Sequence, residues 1–190
     1  MPLLLDTAPT LQLINVSQAK KFCRIDDDDS DAILTDLIAG AVSTAEAFLQ
    51  MSLLPTIWRY TLDGFPACIV LPIGPVLTTD ALAITYVDSA GASQPLASSD
   101  YQIRLGESAE ISPGYSKSWP ATQPGTYDAV TVTFTAGYAS AAAVPAAIKQ
   151  GVRLIIGDFY ENRENTVLGV TPTEMPLSAR NLLMPFVRHN

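Results

Sequence analysis

The chain is short of the residues that do most enzyme chemistry. Of its 190 residues one is histidine, His189, and two are cysteine, Cys23 and Cys68. A serine or cysteine nucleophile usually needs a histidine base within hydrogen-bond reach. His189 stands one residue from the carboxyl end, where chains fray, and cannot be relied on for that role. A zinc site asks for a cluster of nitrogen or sulfur ligands, which two distant cysteines and a terminal histidine do not supply. Two cysteines are also too few for a disulfide framework, so both read as reduced core thiols of a product made and kept in the cytoplasm. Basic charge is scarce as well: 11 Lys and Arg stand against 19 Asp and Glu, for a net charge of -8. Tight nucleic-acid binding neutralises phosphates with cationic side chains, so DNA can pass such a surface without adhering to it. The opening "MPLLLDTAPT" has neither the positive region nor the apolar stretch of a signal peptide. No run approaches the roughly 18 apolar residues of a membrane span. No catalytic residue, metal, cofactor or membrane partner is expected.

What the chain has instead is apolar bulk. Hydrophobic residues make up 48% and charged residues 16%, a lightly charged surface that suits cover by partners. The length allows one well-packed core carrying an inserted module. The longest acidic run lies in "RIDDDDSDAILTDLIAGAV", Arg24 to Val42. A calcium loop of the EF-hand type needs glycine at its sixth position and glutamate at its twelfth. Counted from Asp26, those positions hold Asp31 and Leu37, so the spacing fails. Magnesium normally completes its shell with a substrate phosphate, and the chain has no phosphate-cradling loop of the Walker type. After the acids, Leu34, Leu37, Ile38, Ala41, Val42, Ala45, Phe48 and Leu49 recur at helical spacing. A helix start is therefore favoured over an ion site, with Ser30 or a late aspartate capping the first turn and the carboxylates facing the positive end of the dipole.

A short first helix is expected over Ser17 to Arg24, capped by Ser17, and a second near Ser30 to Met51, forming a helical hairpin over about 15–52. From Pro55 the period changes. "TIWRYTLDGF", "CIVLP", "ALAITYVDSAG", "DYQIRL" and "DAVTVTFTAGY" read as strands separated by turns, with Asp88 to Gly91 at the bend of a hairpin. These predict a five- or six-stranded antiparallel module over about 56–138. Helical spacing returns after Pro145, a residue tolerated in a first turn, with Ile148, Val152, Ile155, Ile156 and Phe159 as its stripe through about Asn162. The loop "RENTVLGVTPTEMP" leads to a short last helix near Leu177 to Met184 that Pro185 ends, so the carboxyl-terminal helices cover about 145–186. Neither set of helices can bury its apolar face alone. They are expected to pack together in one domain over 1–190 with the β module inserted, an α+β fold.

Two clusters invite a chemical reading. Asp158, Glu161 and Glu164 carry the carboxylates of an acid and base pair of the glycosidase kind, but three-residue spacing on a helix and the adjacent Arg163 favour ordinary charge compensation. The loop "SPGYSKSWPATQPG" sets Tyr115 and Trp119 among proline, glycine and serine. Such rings can dock into a partner or stack on a sugar, or Trp119 can fold back over one end of the sheet.

Taken in order, "LINVSQAKKFCRIDDDDSDAILTDLIAGAVSTAEAFL", "TIWRYTLDGFP", "IVLPIGPV", "ITYVDSAG", "YQIRL", "SWP", "VTVTFTAGYA", "VPAAIKQGVRLIIGDFYENRE" and "LLMPFVR" resemble the head-tail connector, or adaptor, proteins of long-tailed bacteriophages. The resemblance runs from about Leu13 to Arg188, in the branch with a β insertion between its helices. It implies a structural head-completion protein of the virion that docks as a dodecameric ring of copies beneath the portal. There it extends the DNA channel and offers a platform to the next neck, stopper or tail-completion protein. The closing tail, with Leu182, Leu183, Phe186 and Arg188, joins Tyr115 and Trp119 as the candidate partner interface; the tail's other reading is packing on the third helix. Where similar chains often end in "PYR", this one reads "PFVR", so Phe186 offers no hydroxyl contact. The loop Arg163 to Pro176 and the tail are expected to become ordered on assembly. Readings outside this role are a carbohydrate-binding module or acidic-residue glycoside hydrolase, and another neck or tail-completion protein.

Overall fold

The alternation in "VTVTFTA" becomes a strand in the computed structural model: Val130, Val132, Phe134 and Ala136 are buried while the threonines between them are half-buried. The structure describes residues 2–26, 31–79, 81–162 and 175–188. In chain order these form β1 (Leu3–Thr7), α1 (Val16–Cys23), α2 (Asp31–Leu49), β2 (Thr56–Leu62), β3 (Ile69–Val70), β4 (Ala83–Val87), β5 (Ser93–Pro95), β6 (Tyr101–Arg104), β7 (Glu110–Pro113), β8 (Val130–Ala136), α3 (Ala146–Glu161) and α4 (Leu177–Leu183). This is the α+β fold with an antiparallel insertion that the periodicities predict. One compact unit gathers Met1–Thr10 and Leu54–Ala139; another gathers Leu11–Leu53 and Ser140–His189.

In the first unit a five-stranded sheet runs β1-β2-β8-β4-β5 and a three-stranded sheet runs β3-β7-β6, every neighbouring pair antiparallel. The register sets Trp58 against Phe134 and Ile84 against Val132. Leu62, Ile69, Ile84, Ile111, Val130 and Phe134 fill the core between them. The expected five or six strands are eight among the described residues. β1 comes from outside the expected module, and the short β3 builds a second sheet with β6 and β7. The β4–β5 hairpin turns where expected. Asp88 Oδ1 accepts from the N–H groups of Ala92 and Ala90 at 3.0 and 2.9 Å, and Gly91 supplies a φ of 84°. Those bonds, with one from Gln94, hold the Asp88 carboxyl below the usual carboxylate range.

In the second unit α1 begins at Asn15, not Ser17. Asn15 Oδ1 accepts from the Gln18 N–H and Gln18 Oε1 accepts from the Asn15 N–H, a reciprocal capping box that a serine two residues on cannot form. α2 buries Leu34, Ile38, Ala41, Ala45 and Leu49; the expected caps at Ser30 and the aspartates before it lie outside the described residues. By length and composition alone this 19-residue helix, with mean hydropathy 1.5, is apolar enough to cross a membrane. Thr35, Asp36, Ser43, Thr44 and Glu46 interrupt it, so it holds no unbroken apolar run of that length. Its buried stripe is that of a core helix, packed with α1 and α3. Lys20 Nζ lies 2.5 Å from Asp31 Oδ1, tying α1 to the start of α2. α3 follows Pro145 and packs on α1, α2 and α4. α4 stops at Leu183 with Met184 as its C-cap, just before Pro185 as expected, and Pro185 then sits inside a 3-10 turn, Met184–Phe186, at a position where a missing N–H is tolerated.

Candidate partner interface

Tyr115 stands at the tip of a tight turn. The Gly114 N–H donates to the Asp100 carbonyl and the Lys117 N–H to the Gly114 carbonyl, both at 2.9 Å. Ser116 takes a left-handed φ of 58° and Lys117 Nζ reaches Asp100 Oδ1 at 3.1 Å. The turn is thus pinned at both ends while the Tyr115 ring is 96% exposed. Trp119, four residues on, behaves differently: its ring stacks on Phe65 with centroids 4.7 Å apart and planes 10° apart. Phe65 in turn lies against Tyr86 at 5.8 Å. One face of the indole is therefore covered by Phe65, in the turn after β2, leaving less ring for a sugar.

The tail is held more closely than its position near the chain end implies. Leu183 is fully buried, and Leu182 and Phe186 are half-buried. Arg188 is buried too, and its backbone N–H donates to the Leu49 carbonyl at 3.1 Å. Leu183 meets α3 at Gly151, where an added Cβ would fall 2.9 Å from its Cδ2. The apolar side chains that do face outward near it are Leu177 and Met184, 67% and 56% exposed. Sequence reasoning passed over these two, although both fall out of phase with the buried Ala179 and Leu183. Tyr127 was missed as well; it follows a Pro-Gly turn signal of the kind that singled out Tyr115, and it too is largely exposed.

The chemical candidates are quiet. Burial pushes the Cys23 thiol up, with Glu161 adding to the shift, so it stays protonated and a poor nucleophile. Cys68 is half-buried, its Sγ 4.0 Å from Glu110 Oε2. Asp158 Oδ1 accepts from Asn162 Nδ2 at 2.9 Å, a capping contact at the end of α3. Glu161 is exposed. Among the described residues no three His, Cys, Asp or Glu side chains come together as metal ligands. Glu164, His189 and residues 163–174 of the loop before α4 lie outside the described residues.

Similarity to known proteins follows the same architecture. The fold matches a chain of the neck of an empty gene transfer agent (GTA) particle computed with C6 symmetry, with a TM-score of 0.81. It also matches chains of the native GTA virion and of the native GTA neck computed with C12 symmetry, with TM-scores of 0.79 and 0.76. Each match covers 100% of this chain and 97% of the other at 24% identity. No curated protein sequence matches the chain. Residues 13–117, from the start of the helical hairpin through the turn that carries Tyr115, match the model of the phage gp6-like head-tail connector proteins, and the chain belongs to that family.

Proposed function

We propose that the chain is a structural, non-enzymatic adaptor of a phage-type virion. Copies of it close into a ring beneath the portal, matching a dodecameric portal in number. The ring extends the DNA channel and presents a platform to the next neck or tail protein. The observation that carries this reading is fold similarity along the whole chain to components of necks computed with C6 and C12 symmetry. A closed ring needs a head-to-tail interface whose rotation closes. Tyr115, pinned at its turn, is the aromatic anchor of the proposed contact set in the first unit, with Trp119; Leu182, Phe186 and Arg188 are the proposed contacts of the second unit. Leu183 serves that set by fixing α4 from beneath. A net charge of -8 suits the channel, because acidic subunits repel phosphate and let DNA slide.

Native mass spectrometry with negative-stain imaging across a concentration series tests the reading. Closed rings with a central hole are the expected outcome. If the chain is strictly monomeric, the decisive measurement is binding to a portal ring, and a chain that neither closes nor binds overturns the adaptor.

A further inference from the structure

The two edges of the five-stranded sheet are unlike. At one edge β5 reads Ser93, Gln94, Pro95. The Leu96 N–H donates to the Ile84 carbonyl at 2.8 Å, and in that phase Pro95, opposite Thr85, turns its backbone outward, where proline has no N–H to offer. That edge is blunted.

At the other edge β1 carries no such guard. The Thr61 N–H donates to the Pro2 carbonyl at 3.2 Å, which makes Leu4, opposite Arg59, the next hydrogen-bonded residue of the ladder. The N–H and C=O groups of Leu3 and Leu5 therefore point away from β2. Among the described residues no strand lies beyond them. Leu4 and Leu5, on opposite faces of the strand, are 51% and 55% exposed. The one charge on β1, Asp6, is taken up by an ion pair with Arg59 of β2. An edge with free backbone groups, exposed leucines and no free charge is a template for another strand.

We propose that β1 is a strand-addition site for a second copy of this chain, which lays an extended segment along the open edge and so joins neighbouring subunits. The proposal rests on the ring reading, and two features favour a like copy as the occupant. A head-to-tail contact joins unlike surfaces, here the open β1 edge of one copy and an extended segment of the next. Copies that each carry a net charge of -8 repel one another except where the contact is neutral, and β1 offers backbone bonds and leucine side chains.

The test uses the full chain with two substitutions. Leu5→Pro removes the outward N–H and leaves the bonds to β2 in place; Leu4→Lys adds a charge to the edge. Native mass spectrometry and thermal melts are compared with wild type, and hydrogen exchange follows the Leu3 and Leu5 amides of wild type. The expected result is unchanged melting, an assembled fraction lowered at least tenfold in both variants, and slowed exchange of both amides on assembly. Should Leu5→Pro not fold, Leu4→Lys and the amide exchange decide. Rings that form equally in both variants, or rings whose Leu3 and Leu5 amides exchange as in the free chain, overturn strand addition and leave the ring standing. A dimer that the variants dissolve upholds strand addition, while binding to a portal ring still decides the adaptor role. A wild-type chain that is monomeric at every concentration overturns strand addition, while binding to a portal still decides the adaptor role.

Discussion

Glu46 holds a half-buried carboxyl near the end of α2, where its Oε1 accepts from the Leu53 N–H at 2.7 Å. Burial lifts its titration above the ordinary value of 4.5, and the Leu53 bond pulls only partly the other way. A carboxyl titrating higher in the folded chain than in the unfolded one binds its proton more tightly when folded. Its contribution is thus fully present below the unfolded value and is lost as pH rises through the folded value. Glu46→Gln keeps an acceptor for Leu53 and removes the ionisation. The stability of the variant relative to wild type should therefore rise as pH climbs from the ordinary value of 4.5 up through the raised folded one. Thermal melts of both proteins across that range check this, and a constant difference contradicts it. Sequence could not announce this carboxyl, since Glu46 looks like any helical glutamate until the chain returns with Leu53. Tyr115 and Trp119 show the same limit. Their loop was legible as an aromatic loop, but only Phe65, more than fifty residues earlier, decides that Trp119 turns inward while Tyr115 does not.

Two glycines of α3 separate local preference from packing. Alanine is better than glycine in a helix by about 1 kcal/mol. At Gly157 an added Cβ would lie 3.3 Å from the ring of Phe22, an exposed side chain able to move aside. At Gly151 it would meet Leu183, fully buried under α4, at 2.9 Å. Overpacking of that kind typically costs about 1–3 kcal/mol. Gly157→Ala should leave stability unchanged or raised, and Gly151→Ala should lower it and loosen α4. Urea unfolding of both variants measures the difference, and a stabilised Gly151→Ala would show that α4 yields freely. The elements themselves were legible where their pattern is local. The stripe of α2 and the strict alternation of β8 gave both elements their type. β1 was not legible: "LLLDT" has no alternation, and it is a strand because β2, more than fifty residues on, pairs with it. The Asn15 cap was visible as an amide three residues before Gln18, yet Ser17 offered an equally local alternative, and only backbone geometry separates them.

At the scale of the whole molecule, charge and fold act on different questions. The excess of acids predicts that the protein does not retain duplex DNA at physiological salt, because counterion release needs cationic contacts it lacks. An electrophoretic mobility assay at about 0.15 M salt, near a Debye length of 8 Å, should show no shift; retention that weakens steeply with added salt would reveal a basic channel surface the net charge conceals. Composition and period alone determined the broad class: helices, then strands, then helices, in an acidic chain poor in the residues of catalysis. The order of several weak motifs added the connector resemblance, which the family match then bore out. Tertiary structure alone decided which apolar residues are spent inside and which are left over. Leu183 and Leu177 are both leucines of one helix, yet one is enclosed by α3 and the other faces outward. A side chain's type and spacing are local properties, whereas its burial depends on which distant segment arrives to cover it, and that is set by the packing of the whole chain.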